Sequence, residues 1–298
     1  MTKKLVLSAV GIVWCVLFPA LSAQAQTAME FFIRGNVEYK KGDYDSAIAD
    51  YTRSIQLDPK NAEAYYNRGN TYYDKKNYDQ AIIDYTKTLQ LNPSYASAYY
   101  NRGASYYRKR NYDQAIYDLT KAIELDPDNA KAYDNRGSAY DDKGNYDQAI
   151  ADYTKAIQLD PKDAEAYSNR GGSYGKRGSN DQAIADETVA ILLKPNFAEA
   201  YHGRGFAYFN KGNYDLAIAD YTKEIQLDPT ATRGYHGRAL AYYKSGNYNL
   251  VIADYTKVIQ LDPNFIPAYT NRGLAYQKIG KIDLAEADWK KAAELKKL

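Results

Sequence analysis

Apolar and polar residues alternate in two short helical phrases that recur along the chain. In residues 62–95 the first phrase is Tyr65, Gly69 and Tyr72, and the second is Ala81, Tyr85 and Thr88. Steps of three and four place each triplet on one face of an α-helix. A polar turn rich in Gly and Asn separates the phrases, as in Lys143-Gly144-Asn145. The second phrase runs into a proline that cannot continue a helix, as in Asp58-Pro59 and Asp228-Pro229. The pattern predicts a helix hairpin whose small residues, Gly69 and Ala81, let its two helices approach closely.

The phrase pair returns with a period of 34 residues. Gly35, Gly69, Gly103, Gly137, Gly171, Gly205 and Gly273 keep this step, with Ala239 filling the gap, and so do Pro59, Pro93, Pro127, Pro161, Pro195, Pro229 and Pro263. Eight repeats result, starting at residues 28, 62, 96, 130, 164, 198, 232 and 266, so that 28–298 is a single array. Positions 1 to 34 are counted within a repeat below. Most of the 33 tyrosines fall at positions 4, 11, 17 and 24, which are packing positions.

Tyr65, Gly69, Tyr72, Ala81, Tyr85 and Pro93 resemble the pattern of the tetratricopeptide repeat, a helix-turn-helix of 34 residues. Position 7 departs from it, being arginine throughout where leucine is usual. The resemblance implies an all-α, right-handed superhelical solenoid of eight stacked hairpins, with the first helices lining a concave groove. It also implies a non-catalytic scaffold for protein–protein interaction that holds a peptide or protein segment in that groove.

Departures from the period are informative. Glu30 and Glu38 in the first repeat, and Glu286 and Ala293 in the last, replace apolar residues at inner positions, so the terminal repeats read as caps facing water. In the fifth repeat Asn180 replaces the tyrosine of position 17 and Glu187 the aromatic of position 24, which predicts a loosened joint there. Arginine at position 7 and aspartate at position 23, present in all eight repeats, predict Arg–Asp pairs at the rim of each hairpin, worth about 0–1 kcal/mol apiece.

Residues off the packing stripe are the candidates for recognition. At about 100° per residue, positions 5 and 12 lie some 80–90° from the centre of the first helix's packing face. Phe32, Tyr39, Tyr66, Tyr73, Tyr100 and Tyr107 there form an aromatic strip over repeats 1 to 3. Asn67, Asn101, Asn135, Asn169 and Asn271 at position 6 point away from the hairpin core, where amides can hold a ligand backbone. His202 and His236 hold position 5 in the sixth and seventh repeats, beside Phe209 and Tyr243. They read as groove lining rather than a metal site, since zinc needs further ligands and none is evident. Some members of the family clamp a partner's C-terminal carboxylates. Asn70, Asn101 and Lys131 match three clamp positions, but Tyr66 and Asn135 stand where the clamp has cations, so a less charged peptide is expected. Stacking of sugar rings on the groove tyrosines, in a glycan or cell-wall ligand, is the alternative.

The first residues differ from the array. Lys3 and Lys4 precede the apolar stretch from Leu5 to Phe18, and Ala23-Gln24-Ala25 follows Pro19. This is the form of a signal peptide spanning residues 1–25, cleaved before Gln26, and predicts a periplasmic or secreted protein. Cleavage would remove Lys3, Lys4 and Cys15, lowering the 39 basic residues to the 37 of the acidic ones. A neutral balance argues against nucleic acid, and a chain without cysteine has no disulfide or thiolate site. No P-loop, catalytic triad or cysteine nucleophile is present, so the reading is not an enzyme, with no cofactor and no metal. Homo-oligomerisation is left open.

Overall fold

The structure, a computed structural model, describes residues 23–297. The leader expected over residues 1–25 therefore lies almost wholly outside the described residues. Among the described residues sixteen helices follow one another, and all regular structure is helical. The first helices of the eight repeats are Ala23–Lys41, Ala62–Asp74, Ala96–Arg108, Ala130–Asp142, Ala164–Arg177, Ala198–Asn210, Thr232–Lys244 and Ile266–Lys278. The second helices are Tyr44–Leu57, Tyr78–Leu91, Tyr112–Leu125, Tyr146–Leu159, Asn180–Leu193, Tyr214–Leu227, Tyr248–Leu261 and Ile282–Leu295. The protein is an all-α repeat solenoid. It divides into two compact units, one ending at Asp128 and the other beginning at Asn129.

Local chemistry sets the ends of the helices. Asp43, Asn77 and Asn111 accept the backbone N–H of Ser46, Gln80 and Gln114, satisfying donors that an N-terminus leaves free. Between the helices, position 15 takes a left-handed backbone. Six repeats place glycine there, from Gly42 to Gly280 with φ between 74° and 87°. Lys76 and Arg110 adopt it with a side chain, at φ 60° and 59°, against a steric cost of about 1–2 kcal/mol each.

Each hairpin closes on a small-residue contact. A Cβ on Gly69 would lie 2.8 Å from the Tyr85 ring, and one on Gly35 2.7 Å from Tyr51. The tyrosines of position 24 thus press against a bare backbone, and Tyr51, Tyr85 and Tyr255 are fully buried. Ala47, Ala81, Ala115 and Ala149 at position 20 are buried on the facing helix. Such burial of a ring contributes up to a few kcal/mol per repeat.

The arginines and aspartates of positions 7 and 23 pair in all eight repeats, within the repeat. Arg68 donates through Nε and Nη2 to Asp84 at 2.8 and 2.7 Å, and the same two bonds recur from Arg34–Asp50 to Arg272–Asp288. From the second repeat onward they are not rim pairs, whereas Arg34 in the first is 59% exposed. The Asp84 and Asp118 carboxylates are almost wholly buried and their arginines largely so. Burial pushes these two carboxyls up, and the paired guanidinium opposes it. The helix angle misplaced them because a third partner covers the guanidinium. Arg68 Nη1 donates at 2.9 Å to Thr52 Oγ1 of the preceding repeat, and Arg102, Arg170, Arg204, Arg238 and Arg272 do likewise to Thr86, Thr154, Thr188, Thr222 and Thr256. The arginine thus clamps the two helices of its repeat together and ties neighbouring repeats.

The fifth repeat keeps this closure. Arg170 and Asp186 pair at 2.7 and 2.8 Å, and Glu187 is buried in the place that its neighbours give to Tyr153 and Tyr221.

Candidate functional site

The aromatic residues of positions 5 and 12 stand against the second helix of their own repeat. Tyr39, Tyr73 and Tyr107 lie 5.7, 5.4 and 5.8 Å, centroid to centroid, from Tyr44, Tyr78 and Tyr112. Phe209 and Tyr243 repeat the contact with Tyr214 and Tyr248. At position 5, Phe32 packs on Tyr51, and Tyr66 on Tyr85 while stacking at 4.8 Å on Tyr95. Tyr100 is half-buried like the rest. These rings each keep one face for packing and present part of their surface outward. The Tyr39 hydroxyl donates to Asp74 at 2.6 Å, and burial followed by this bond pushes the phenol pKa far up.

The position-6 amides are on the same face, and they tie successive repeats. Asn67 donates to Asn36 Oδ1 at 2.9 Å, and Asn101 donates to Asn70 Oδ1 and Tyr66 Oη at 2.8 and 3.0 Å. Asn169 donates to Asp134 at 3.0 Å, and Asn271 to Tyr255 Oη at 3.0 Å. Burial pushes the Asp134 carboxyl up to about 6, opposed by the Asn169 bond. Asn70 Oδ1 also accepts from Tyr85 Oη at 2.8 Å, so two of the three clamp-like residues are spent on each other. Lys131 is exposed on the first helix of the fourth repeat, where Asn135 is half-buried.

Two pockets on the first-helix face use the same six repeat positions. One, of about 290 Å³, is lined by Asn36, Tyr39, Lys40, Tyr51, Asn67 and Asn70 between repeats 1 and 2. The other, of about 160 Å³, is lined by Leu240, Tyr243, Lys244, Tyr255, Asn271 and Leu274 between repeats 7 and 8. Their chemistry differs at position 9. Asn36 and Asn70 give way in repeats 6 to 8 to Phe206, Leu240 and Leu274, and Phe206 and Leu274 are 45% and 36% exposed. The sequence reading missed this exchange, although the period displays it once position 9 is read down the repeats. A second apolar row, Leu216, Leu250 and Leu284 at position 19, is exposed on the second helices of the same three repeats.

The two histidines part ways. His202 Nδ1 lies 2.8 Å from Glu224 Oε2, and Glu224, fully buried, also accepts from Arg233 Nε at 2.7 Å. Arg233 belongs to the seventh repeat, so this is a further tie between neighbours, unseen in the sequence because position 27 is small elsewhere. His236 packs on Tyr255 and Phe265, and burial, then the charge of His202, lowers its pKa. Among the described residues no group of three or more His, Cys, Asp or Glu is arranged to hold a metal. No described helix is long and apolar enough to cross a membrane.

Comparison with protein families matches a Tetratricopeptide repeat model to residues 62–95, 96–129 and 198–231. A TPR repeat model matches residues 35–76, 137–178 and 239–280, and two further models match 119–151 and 266–297. Among solved structures, MamA is 32% identical over 58% of this chain and 95% of its own, with a TM-score of 0.55. YrrB, described as a TPR protein with an unusual peptide-binding site, is 25% identical over 63% of this chain and 97% of its own, with a TM-score of 0.55. A tetratricopeptide repeat protein from Parabacteroides merdae covers 84% of the chain and 99% of its own at 21% identity and a TM-score of 0.65, a likeness of fold. The comparison with curated protein sequences finds no match.

Proposed function

The chain belongs to the tetratricopeptide repeat family, and from that premise we propose that it is an interaction scaffold that holds a segment of another protein along its first-helix face. One observation carries this reading: the same six repeat positions form a pocket between repeats 1 and 2 and again between repeats 7 and 8. A pocket built from the same positions in each unit suits a segment that presents side chains to it. The two pockets differ in chemistry. Asn36, Asn67 and Asn70 supply amides in the first unit, and Leu240 and Leu274 supply apolar surface in the second. Half-buried tyrosines held by their neighbours offer area at little entropic cost. The work asked of the protein is binding, without catalysis.

Export to the periplasm belongs to the same proposal and rests on Lys3, Lys4, the apolar Leu5 to Phe18 and the small residues Ala23 and Ala25. Mass spectrometry of the protein from its native cells tests it, with an N-terminus at Gln26 expected and an intact leader refuting export by cleavage. Photo-crosslinking in cells tests the face. A crosslinking residue at 240 or 274 is expected to capture one partner protein, and one at 250, on the second-helix row, to capture none. Capture from 250 alone would move the binding surface to the opposite row.

A further inference from the structure

The fifth repeat departs from the others at the positions that line the two pockets. Its position 24 is Glu187, 2% exposed, between repeats that carry Tyr153 and Tyr221 there. Ser168 Oγ donates to Oε2 at 2.8 Å, and it is the one hydrogen-bond donor to this carboxyl among the described residues. The nearby cations are engaged elsewhere. Arg204 is held by Asp220 and Thr188, and Lys176 by Asp141. Burial pushes the Glu187 pKa up to about 9; Ser168 and Arg204 oppose the shift, and Asp186 and Asp220 add to it. A buried carboxyl without a cation is costly, and such groups are normally paired.

The six positions that line the other two pockets are Gly172, Gly175, Lys176, Glu187, Gly203 and Phe206 at this joint. Three of them have no side chain. A Cβ on Gly172 would meet nothing within 4 Å, and one on Gly175 only Ala183 at 3.9 Å. A Cβ on Gly203 would fall on the Glu187 carboxyl, so Oε1 occupies the place where a groove-facing position-6 side chain starts. The carboxyl thus sits between the bare backbones of Gly171 and Gly203, and at the positions that line the other two pockets the missing side chains of Gly172 and Gly175 leave a recess, with the exposed Phe206 ring at the next position 9.

We propose that this recess takes a lysine side chain of the bound segment, with its ammonium on Glu187 Oε1 and its alkyl stem passing the glycines toward Phe206. Lysine fits better than arginine. A guanidinium fork uses both carboxylate oxygens, and Oε2 is already occupied by Ser168. The ammonium is a compact donor that one free oxygen can receive. On binding, Glu187 releases its proton to solvent and the two charges neutralise each other inside the recess. The inference rests on the reading of this face as a peptide groove, and it names the side chain that the groove selects.

Carbon-13 NMR of the purified protein, labelled at its glutamate carboxyls, tests the recess alone. Glu187→Gln identifies the resonance. Titration at pH 7 with Nα-acetyl-lysine methylamide is expected to move it from the protonated to the ionised position, and the norleucine analogue is expected to leave it in place. A resonance unmoved by the lysine probe, or moved equally by norleucine, overturns the proposal. Panning of random dodecapeptides on the protein tests the recess together with the groove. Selected peptides are expected to share a lysine and to bind Glu187→Gln about ten- to a hundredfold more weakly. Selection of peptides with no lysine preference overturns the recess and leaves the groove standing. Selection of no peptide overturns the groove, and the carboxyl titration then decides the recess by itself.

Discussion

Replacing Glu187 by glutamine should make the fifth repeat more stable, by an amount that grows with pH. The folded carboxyl titrates at about 9, whereas the unfolded one titrates near its ordinary value of 4.5. Between these values the folded state carries a proton that the unfolded state lacks. Rising pH therefore pulls the equilibrium toward unfolding, at up to about 1.4 kcal/mol per pH unit. Glutamine has the same shape, accepts the Ser168 hydrogen bond and does not titrate. Relative to the variant, the natural protein should lose nothing near pH 4.5 and about 3 kcal/mol by pH 7. Repeat arrays open locally, so the measurement is the opening free energy of amides in Asn180–Leu193 from native-state hydrogen exchange at pH 5, 6, 7 and 8. The variant-minus-natural difference should widen steadily across this range. A difference constant to within about 0.5 kcal/mol would refute a buried, proton-bearing Glu187.

Other expectations follow from the same contacts. Asp84→Ala strands the Arg68 guanidinium and should cost about 3–5 kcal/mol in urea unfolding, well above a surface pair; a loss below 1 kcal/mol would mean that water screens it. Gly69→Ala drives a Cβ into the Tyr85 ring and should destabilise by about 1–3 kcal/mol, whereas Gly172→Ala meets open space and should gain up to about 1 kcal/mol in helix propensity. Thermal melts that rank these two variants the other way would contradict the packing. Exchange of the Asn180–Leu193 amides should be faster at neutral pH than that of Tyr112–Leu125 and Tyr146–Leu159, and slower exchange would end the idea of a loosened fifth repeat. Leu240→Ser and Leu274→Ser should abolish capture of a partner while shifting the melting temperature little, because both face the open pocket.

The array was legible because every hairpin must solve the same contact. Gly69 against Tyr85 admits no larger residue, so the glycine marks the period, and the helix-ending prolines mark it a second time. The Arg–Asp pairs were legible as pairs, since both residues recur with the period. Their burial was not. A single helix wheel places Arg68 at a rim, and only the neighbouring Thr52 reveals that the rim is an interface. The asparagines show the same limit. The wheel turns Asn67 away from the packing stripe of its hairpin, but whether its amide meets Asn36 depends on the distance between repeats, which the wheel does not contain. Glu187 read as a defect in a ring position. The three glycines around it were equally visible in the sequence, but their meeting across two repeats is a property of stacking.

The threonine–arginine tie between neighbouring repeats bears on how such a protein changes length. Thr154–Arg170, Thr188–Arg204, Thr222–Arg238 and Thr256–Arg272 are the same joint made four times. Excision of residues 62–95 would bring Thr52 against Arg102 and rebuild that joint from parts already present. Apart from a private tie such as Glu224–Arg233, gain or loss of a whole repeat by recombination then poses no new packing problem, and the gene can lengthen or shorten in steps of 34 codons. Frames that preserve Glu187 with Gly203 would carry their recess to a new address along the array, and those that separate them would erase it.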